Sequence, residues 1–254
     1  MSGIAQAKTV LSSAPRARVV FASPQEKRTF VQQLFSRIAP RYDWFNRLAS
    51  CGFDQHWRKV ALARGDVAPG HRVLDVCAGT GDLAILCTRR QQGHGFVIGV
   101  DMNTDMLIRA QRKQRQRGLS IDWLQADALA LPFADESFDR VTIGFSTRNL
   151  ADLTAGIQEM VRVLHRGGRL IILETGHPAN PVLRWGYYLF LSTVVRLVGV
   201  VLTGRLWPFT YLAKSVQAFL TPQQFVQRLQ SAQTAVEYFP LSGGLASLYL
   251  ATKS

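Results

Sequence analysis

Between residues 72 and 175 the chain alternates short apolar runs rich in β-branched residues with helical stretches. The runs are RVLDVC (72–77), FVIGVD (96–101), IDWLQAD (121–127), FDRVTIGF (138–145) and RLIILET (169–175). Strands spaced by helices of this length require right-handed crossovers and a parallel sheet. Their nearly unbroken apolar character requires helices on both faces. Past Glu174 the alternation stops. Residues 180–220 are apolar and aromatic, with breaks at Pro181 and Pro208. Thr221-Pro222-Gln223-Gln224 predicts a helix start, with Thr as N-cap, Pro at N1 and Gln at N3. AVEYFPL and ASLYLAT, joined through Ser242-Gly243-Gly244, read as a terminal antiparallel pair. The expected class is α/β, a mostly parallel seven-stranded sheet with an antiparallel C-terminal strand.

With 254 residues the chain suits one large domain with insertions. Residues 27–254 form that domain. Within it, 27–66 reads as a helical cap, because Phe30, Leu34, Phe35 and Ile38 recur at helical spacing until Pro40 breaks the run. Residues 180–220 read as a hydrophobic insertion. Residues 1–26, basic and rich in Ser and Ala, read as a disordered tail, with a weaker likeness to an organelle transit peptide as the alternative. Three cysteines without a CxxC pair point to free thiols in a reducing compartment, and five scattered histidines offer no metal-ligand spacing.

The turn VLDVCAGTGDL sets Gly79, Thr80 and Gly81 between a strand and a helix N-terminus, where glycine lets a ligand approach the backbone. Asp101 closes the next strand 22 positions after Gly79, close to where an acid bonds ribose hydroxyls in dinucleotide folds. The dinucleotide pattern has a third glycine where Ala84 stands, a replacement that some versions tolerate, so this alone does not exclude NAD. Asp82 also lies near the place of a pyrophosphate. A cationic cofactor without phosphates tolerates Asp75 and Asp82, and S-adenosylmethionine fits that description. Asp127-Ala128, ending the third strand, sits where an adenine amino group can donate to a carboxylate; a turn or cap role is the alternative.

VLDVCAGTGDLA, VDMNTDML, DALALPFADESFD, RNL and RVLHRGGRLIILE resemble the Rossmann-like class I S-adenosylmethionine-dependent methyltransferases. They are most similar to the ubiquinone/menaquinone biosynthesis C-methyltransferase family. Tyr42-Asp43, Asn46, Ser50, Gly52 and Trp57 resemble its N-terminal signature; Tyr211-Leu212, Ser215, Phe219 and GGLASLYLATK resemble its ending. The resemblance implies cofactor contacts at Gly79, Thr80, Gly81, Asp101, Met102, Asp127, Ala128 and Phe145. Departures from the family pattern are Phe45, Asp54, Thr175-Gly176-His177-Pro178, and the pair Gly144 and Ser146.

The implied reaction is methyl transfer to a ring carbon of a prenylated quinol, with demethylmenaquinol favoured. Carbon becomes nucleophilic when a neighbouring hydroxyl ionises, so the site needs in-line positioning and a group that stabilises a phenolate. Arg148, Asn149 and Tyr42 are the candidates. A guanidinium stays charged and stabilises a phenolate better than it accepts a proton, so any part in deprotonation passes through a water. The plainer roles are a surface ion pair for Arg148 and an N-cap for Asn149.

The net charge of +13 favours an anionic partner, a phospholipid surface or nucleic acid, or else a solvated basic surface. RAQRKQRQRG (109–118) has no interleaved aromatics for base stacking and reads as a solvated face, so nucleic acid is not expected. Trp185–Gly204, interrupted only by Arg196, is borderline in length for a membrane span. The favoured reading is a mobile cap over a prenyl tail that also rests on a membrane. Arg184, Arg196 and Arg205 would then meet head groups, with Trp185, Tyr187 and Tyr188 at the interface. A buried helix pair is the alternative. The expected location is cytoplasmic, peripheral to the inner membrane face, as a homodimer or within a quinone-biosynthesis complex. Rival readings are a methyltransferase acting on RNA or a small phenol, a non-catalytic quinone-binding protein and, more distantly, a nicotinamide enzyme.

Overall fold

The computed structural model describes residues 21–204 and 207–254. Most of the tail expected over 1–26, and Arg205, lie outside the described residues. The first helix, α1 (Pro24–Ile38), starts inside that segment, because the Ser23 side chain accepts from the Glu26 backbone N–H and Pro24 holds the first helical position. A 3₁₀ turn over Ala39–Arg41, containing Pro40, leads into α2 (Tyr42–Ala49) and α3 (Phe53–Arg64).

The alternating part follows: β1 (Arg72–Val76), α4 (Asp82–Arg90), β2 (Phe96–Asp101), α5 (Thr104–Arg115), β3 (Asp122–Gln125), β4 (Phe138–Gly144), α6 (Leu153–Arg162) and β5 (Leu164–Thr175). β5 begins earlier than the sequence suggests. Leu164 already pairs with Phe138, and a register shift before Arg140↔Arg169 absorbs His165–Gly168, with Gly167 at φ +74°. Three helices form the insertion, α7 (Pro181–Ser192), α8 (Val194–Thr203) and α9 (Trp207–Ala218). Then come α10 (Pro222–Gln230), opened by a full capping box between Thr221 and Gln224, β6 (Thr234–Leu241) and β7 (Ala246–Lys253).

The seven strands lie in the order β3-β2-β1-β4-β5-β7-β6, with β7 antiparallel to both neighbours and the other pairs parallel. α6 and α10 cover one face through Ile157, Met160, Phe225 and Leu229. α3 and α4 cover the other through Ala61, Leu62, Leu83 and Ile85. α3 therefore belongs to the layered body, and the cap expected over 27–66 is shortened to α1 and α2. Its seat is close: a Cβ on Gly65, which ends α3, would lie 2.2 Å from the Ile171 side chain of β5.

A separate apolar core joins α1 and α2 to α7, α8 and α9, with Leu34, Ile38, Phe45, Leu191 and Phe209 at its centre. The borderline span is broken at Thr193 into α7 and α8, and among the described residues no helix is long and apolar enough to cross a membrane.

One buried carboxylate ties the body together. Asp75 of β1, 1% exposed, accepts from the Thr142 hydroxyl of β4 (2.7 Å) and from the Ala84 N–H in the first turn of α4 (3.0 Å). Burial pushes its carboxyl up to about 7, against an ordinary 3.8. A raised folded value means the contribution is full below the ordinary value and is lost as pH climbs through 7. Asp75→Asn does not titrate, so its stability relative to wild type should improve by about 1–3 kcal/mol between pH 4 and pH 8. Urea midpoints across that range measure this; a pH-independent difference would show that Asp75 is ionised throughout.

Candidate active site

The sheet order reverses between β1 and β4, and there the carboxyl ends of β1 to β4 open into a cleft beneath α1 and α2. Gly79 stands on its wall at φ +56°. A Cβ built on it would meet nothing within 4 Å, so the backbone faces open space in which a ligand can lie. Asp101 accepts from the Gly79 N–H and the Asn103 N–H, both at 2.8 Å, and burial raises its carboxyl above the usual range. Met102, Asp127 and Ala128 continue the wall. The two Asp127 oxygens accept from Leu129 N–H (3.0 Å) and pair with Arg28 of α1 (2.9 Å). The Arg28 Nε also reaches the Met102 sulfur at 3.1 Å, so one arginine grips two expected cofactor contacts. Nothing in the residue pattern pointed to it.

Two expected cofactor residues lie elsewhere. Gly81, at φ +83°, is required by packing, since a Cβ there would sit 2.5 Å from the Trp123 ring. Phe145, at φ +57°, turns away from the cleft that Gly144 and Ser146 line. Its ring packs against Trp57 (6.3 Å between centroids) under the Arg58 guanidinium (5.1 Å). Phe145 lies just past the end of β4, and its left-handed φ turns the chain there so that its ring leaves the cleft.

The acids of the glycine turn are engaged by the protein itself. Asp82 pairs with Lys113 of α5 at 2.7 Å, which outweighs burial and holds its carboxyl below the usual range. Lys113 also pairs with Asp43 of α2 (2.6 Å) and donates to the Thr80 hydroxyl (3.1 Å), which in turn donates to Asp43 (2.5 Å). The basic run on α5 is therefore not wholly a solvated face. Lys113 is 11% exposed, and it fastens α2 to the turn.

At the other end of the cleft lie Tyr42 and Asn149. Arg148, just behind, is not a surface ion-pair partner. Its side chain is 8% exposed and its Nη1 donates to Glu174 (2.5 Å) and to the Phe145 carbonyl (2.6 Å). Asn149 is not an N-cap; α6 is capped by Asp152. Its Oδ1 accepts from the Tyr211 hydroxyl of α9 at 3.1 Å. The Arg148 Nε and the Asn149 Nδ2 are buried with no hydrogen-bond partner. Two orphaned donors on consecutive residues, of which Asn149 lines the cleft, suit an oxygen supplied by a ligand. Burial raises Tyr42 above the usual phenol range, so it is a neutral hydroxyl. Glu174 stands one residue before the end of β5, much as Asp101 ends β2, a signal that could have marked it beforehand.

The S-adenosylmethionine implied by the resemblance fits this cleft. The carboxylates of Asp101 and Asp127 suit hydroxyl and amino donors, the opening at Gly79 leaves room beside the backbone, and the same acids disfavour a pyrophosphate.

The model of the ubiE/COQ5 methyltransferase family matches residues 22–253. The chain is 40% identical over 229 residues to a demethylmenaquinone methyltransferase of Deinococcus radiodurans, covering 90% of this chain and 95% of that protein. It is 37% identical over 230 residues to a 2-phytyl-1,4-naphtoquinone methyltransferase of Thermosynechococcus vestitus, covering 89% of this chain and all (100%) of that one. Among solved structures, the [4+2]-cyclase SpnF shares the fold with a TM-score of 0.66 at 17% identity, over 92% of this chain and 97% of that one. The family match runs from α1 through the glycine turn and the insertion to β7, taking in lid, cleft and cover together: the chain belongs to the ubiE/COQ5 methyltransferase family.

Proposed function

We propose that this methyltransferase moves a methyl group from S-adenosylmethionine to a ring carbon of a prenylated quinol, with demethylmenaquinol as the favoured acceptor. The observation that carries the reading is the pair of orphaned donors, Arg148 Nε and Asn149 Nδ2, buried beside the cleft. The names of the similar proteins, which methylate demethylmenaquinone or a phytyl naphthoquinone, supply the acceptor class.

S-adenosylmethionine supplies a methyl group made electrophilic by its sulfonium. Asp101 would take the ribose hydroxyls and Asp127 the adenine amino group, while Gly79 would let the cofactor lie against the backbone. Met102 and Ala128 wall the base. Arg148 and Asn149 hold the quinol oxygen as its proton passes to a water, which sends electron density into the ring; after methyl transfer the ring carbon's own proton leaves to water and aromaticity returns. Arg148 stays protonated at every working pH, so it stabilises the phenolate and does not take the proton. Tyr42 closes the site as a neutral hydroxyl.

The test is incubation with labelled S-adenosylmethionine and demethylated naphthoquinol or benzoquinol under reducing conditions, with the lipid product identified by mass. No methylated product from either quinol overturns the reading, and methylation of tRNA alone would favour the RNA rival. Arg148→Ala should bind the cofactor within about threefold of wild type while turnover falls about 100-fold or more.

The insertion supports docking on an anionic membrane surface. Trp185, Leu189, Val194, Leu197 and Val201 of α7 and α8 are exposed, as are Trp44 and Leu48 of the adjoining α2. Exposed Arg47 and Arg184 lie on the same helices, and exposed Arg41 sits in the turn just before α2. Tyr187 and Tyr188 take no part in this. Helical periodicity turns them inward, where Tyr188 bonds His177 (2.7 Å) and burial raises the Tyr187 phenol. Leu197→Glu with Val201→Glu should cut co-sedimentation with phosphatidylglycerol vesicles at least about fivefold. Undiminished binding would assign these side chains another role.

A further inference from the structure

Glu174, the penultimate residue of β5, is 1% exposed, and nothing above gives it a function beyond pairing with Arg148. Five donors converge on its carboxylate: Thr147 hydroxyl (2.6 Å), Arg148 Nη1 (2.5 Å), Thr175 N–H (2.8 Å), Thr175 hydroxyl (3.1 Å) and, more loosely, Arg148 N–H (3.4 Å). A carboxylate so engaged has little capacity left to take a substrate proton. What it offers is a fixed negative charge in contact with the arginine.

The other groups facing Arg148 carry no compensating charge. Tyr42 of α2, Tyr187 of α7 and Tyr211 of α9 are all raised by burial and stay neutral. Arg58 of α3, the nearby cation, is paired at 2.9 Å with Asp54. Among the described residues, the carboxylate paired with Arg148 is Glu174.

We propose that Glu174 is a positioning residue that moderates how tightly the Arg148–Asn149 site holds the substrate oxygen. A buried guanidinium without a counter-ion would bind a phenolate strongly and keep its electron density on oxygen. The density must instead reach the ring carbon that accepts the methyl group. With Glu174 behind it, the guanidinium keeps its hydrogen-bonding edge while its net field is reduced. The inference rests on the quinol reading for its purpose, and its measurement is independent of turnover.

The probe is 4-nitrophenol carrying an alkyl chain ortho to the hydroxyl, whose phenolate is followed by visible absorbance while bound. Wild-type protein should lower the bound probe's pKa by less than about one unit, and Glu174→Gln should lower it by at least about one unit more. Glu174→Asp keeps the charge but withdraws it by one methylene, and its value should fall between the two. Arg148→Ala should return the probe to its free value or above. With quinol, Glu174→Gln should lose at least about tenfold in kcat, with KM within about threefold and unchanged cofactor affinity by calorimetry.

A bound pKa in Glu174→Gln equal to wild type, or higher, overturns the proposal, because Glu174 would then only hold the arginine in place. If Glu174→Gln does not fold, Glu174→Asp decides, and a wild-type pKa there overturns it. A wild-type protein that ionises the probe in this pattern but methylates no quinol would sink the acceptor assignment and leave the Glu174 inference standing. Quinol methylation with a probe pKa blind to residue 174 would do the reverse.

Discussion

The arrangement depends on Asp75, a carboxylate buried under the glycine turn. It binds a β4 hydroxyl on one side and the first turn of α4 on the other. It thereby joins the two strands between which the sheet reverses order, and it sets the start of α4 against the end of β1. The cleft exists because crossovers leave that junction in opposite directions. Asp75 makes the junction rigid enough for Gly79 to hold a left-handed turn open to it. Burial has a consequence: a carboxylate held this way titrates near neutrality.

A second set of charges attaches the lid. Lys113, Asp43 and the pair Thr80 and Asp82 come from three parts of the chain and meet beside the turn. Because Asp43 follows Tyr42, fastening it to the turn also places the tyrosine over the far end of the cleft. α1 and α2 then share an apolar core with the insertion, so lid and cover form one body. Tyr211 reaches from that body to Asn149, so a hydrogen bond from the insertion holds a residue of the cleft wall.

Much of this was legible in the residue pattern, wherever the relevant forces are local. Strand periods, the Thr221 capping box, the break at Pro40 and the terminal antiparallel pair all follow from hydrogen bonding and sterics within a few residues. The positions of Gly79, Asp101 and Asp127 at strand ends were equally readable, since ligands gather at those ends. Gly81 and Phe145 fall outside the lining of the cleft because a motif names positions without saying which way each residue faces. Gly81 answers to the Trp123 ring, 42 residues away in sequence, and Phe145 to Trp57 and Arg58. Lys113 was hidden in a basic run for the same reason, as its partners lie on α2 and α4.

By itself, the sequence determined the α/β class, the gathering of its glycine turn and acids at the carboxyl edge of the sheet, and the residue types available there. Tertiary structure alone decided which of those groups are free. Asp82 is neutralised by Lys113, while Glu174 occupies one edge of Arg148 and Tyr211 occupies the Asn149 carbonyl. The Arg148 Nε and Asn149 Nδ2 are left open. The reason is physical. Whether a buried donor is satisfied depends on groups brought within about 3 Å by packing, and such distances cannot be read from spacing along a chain.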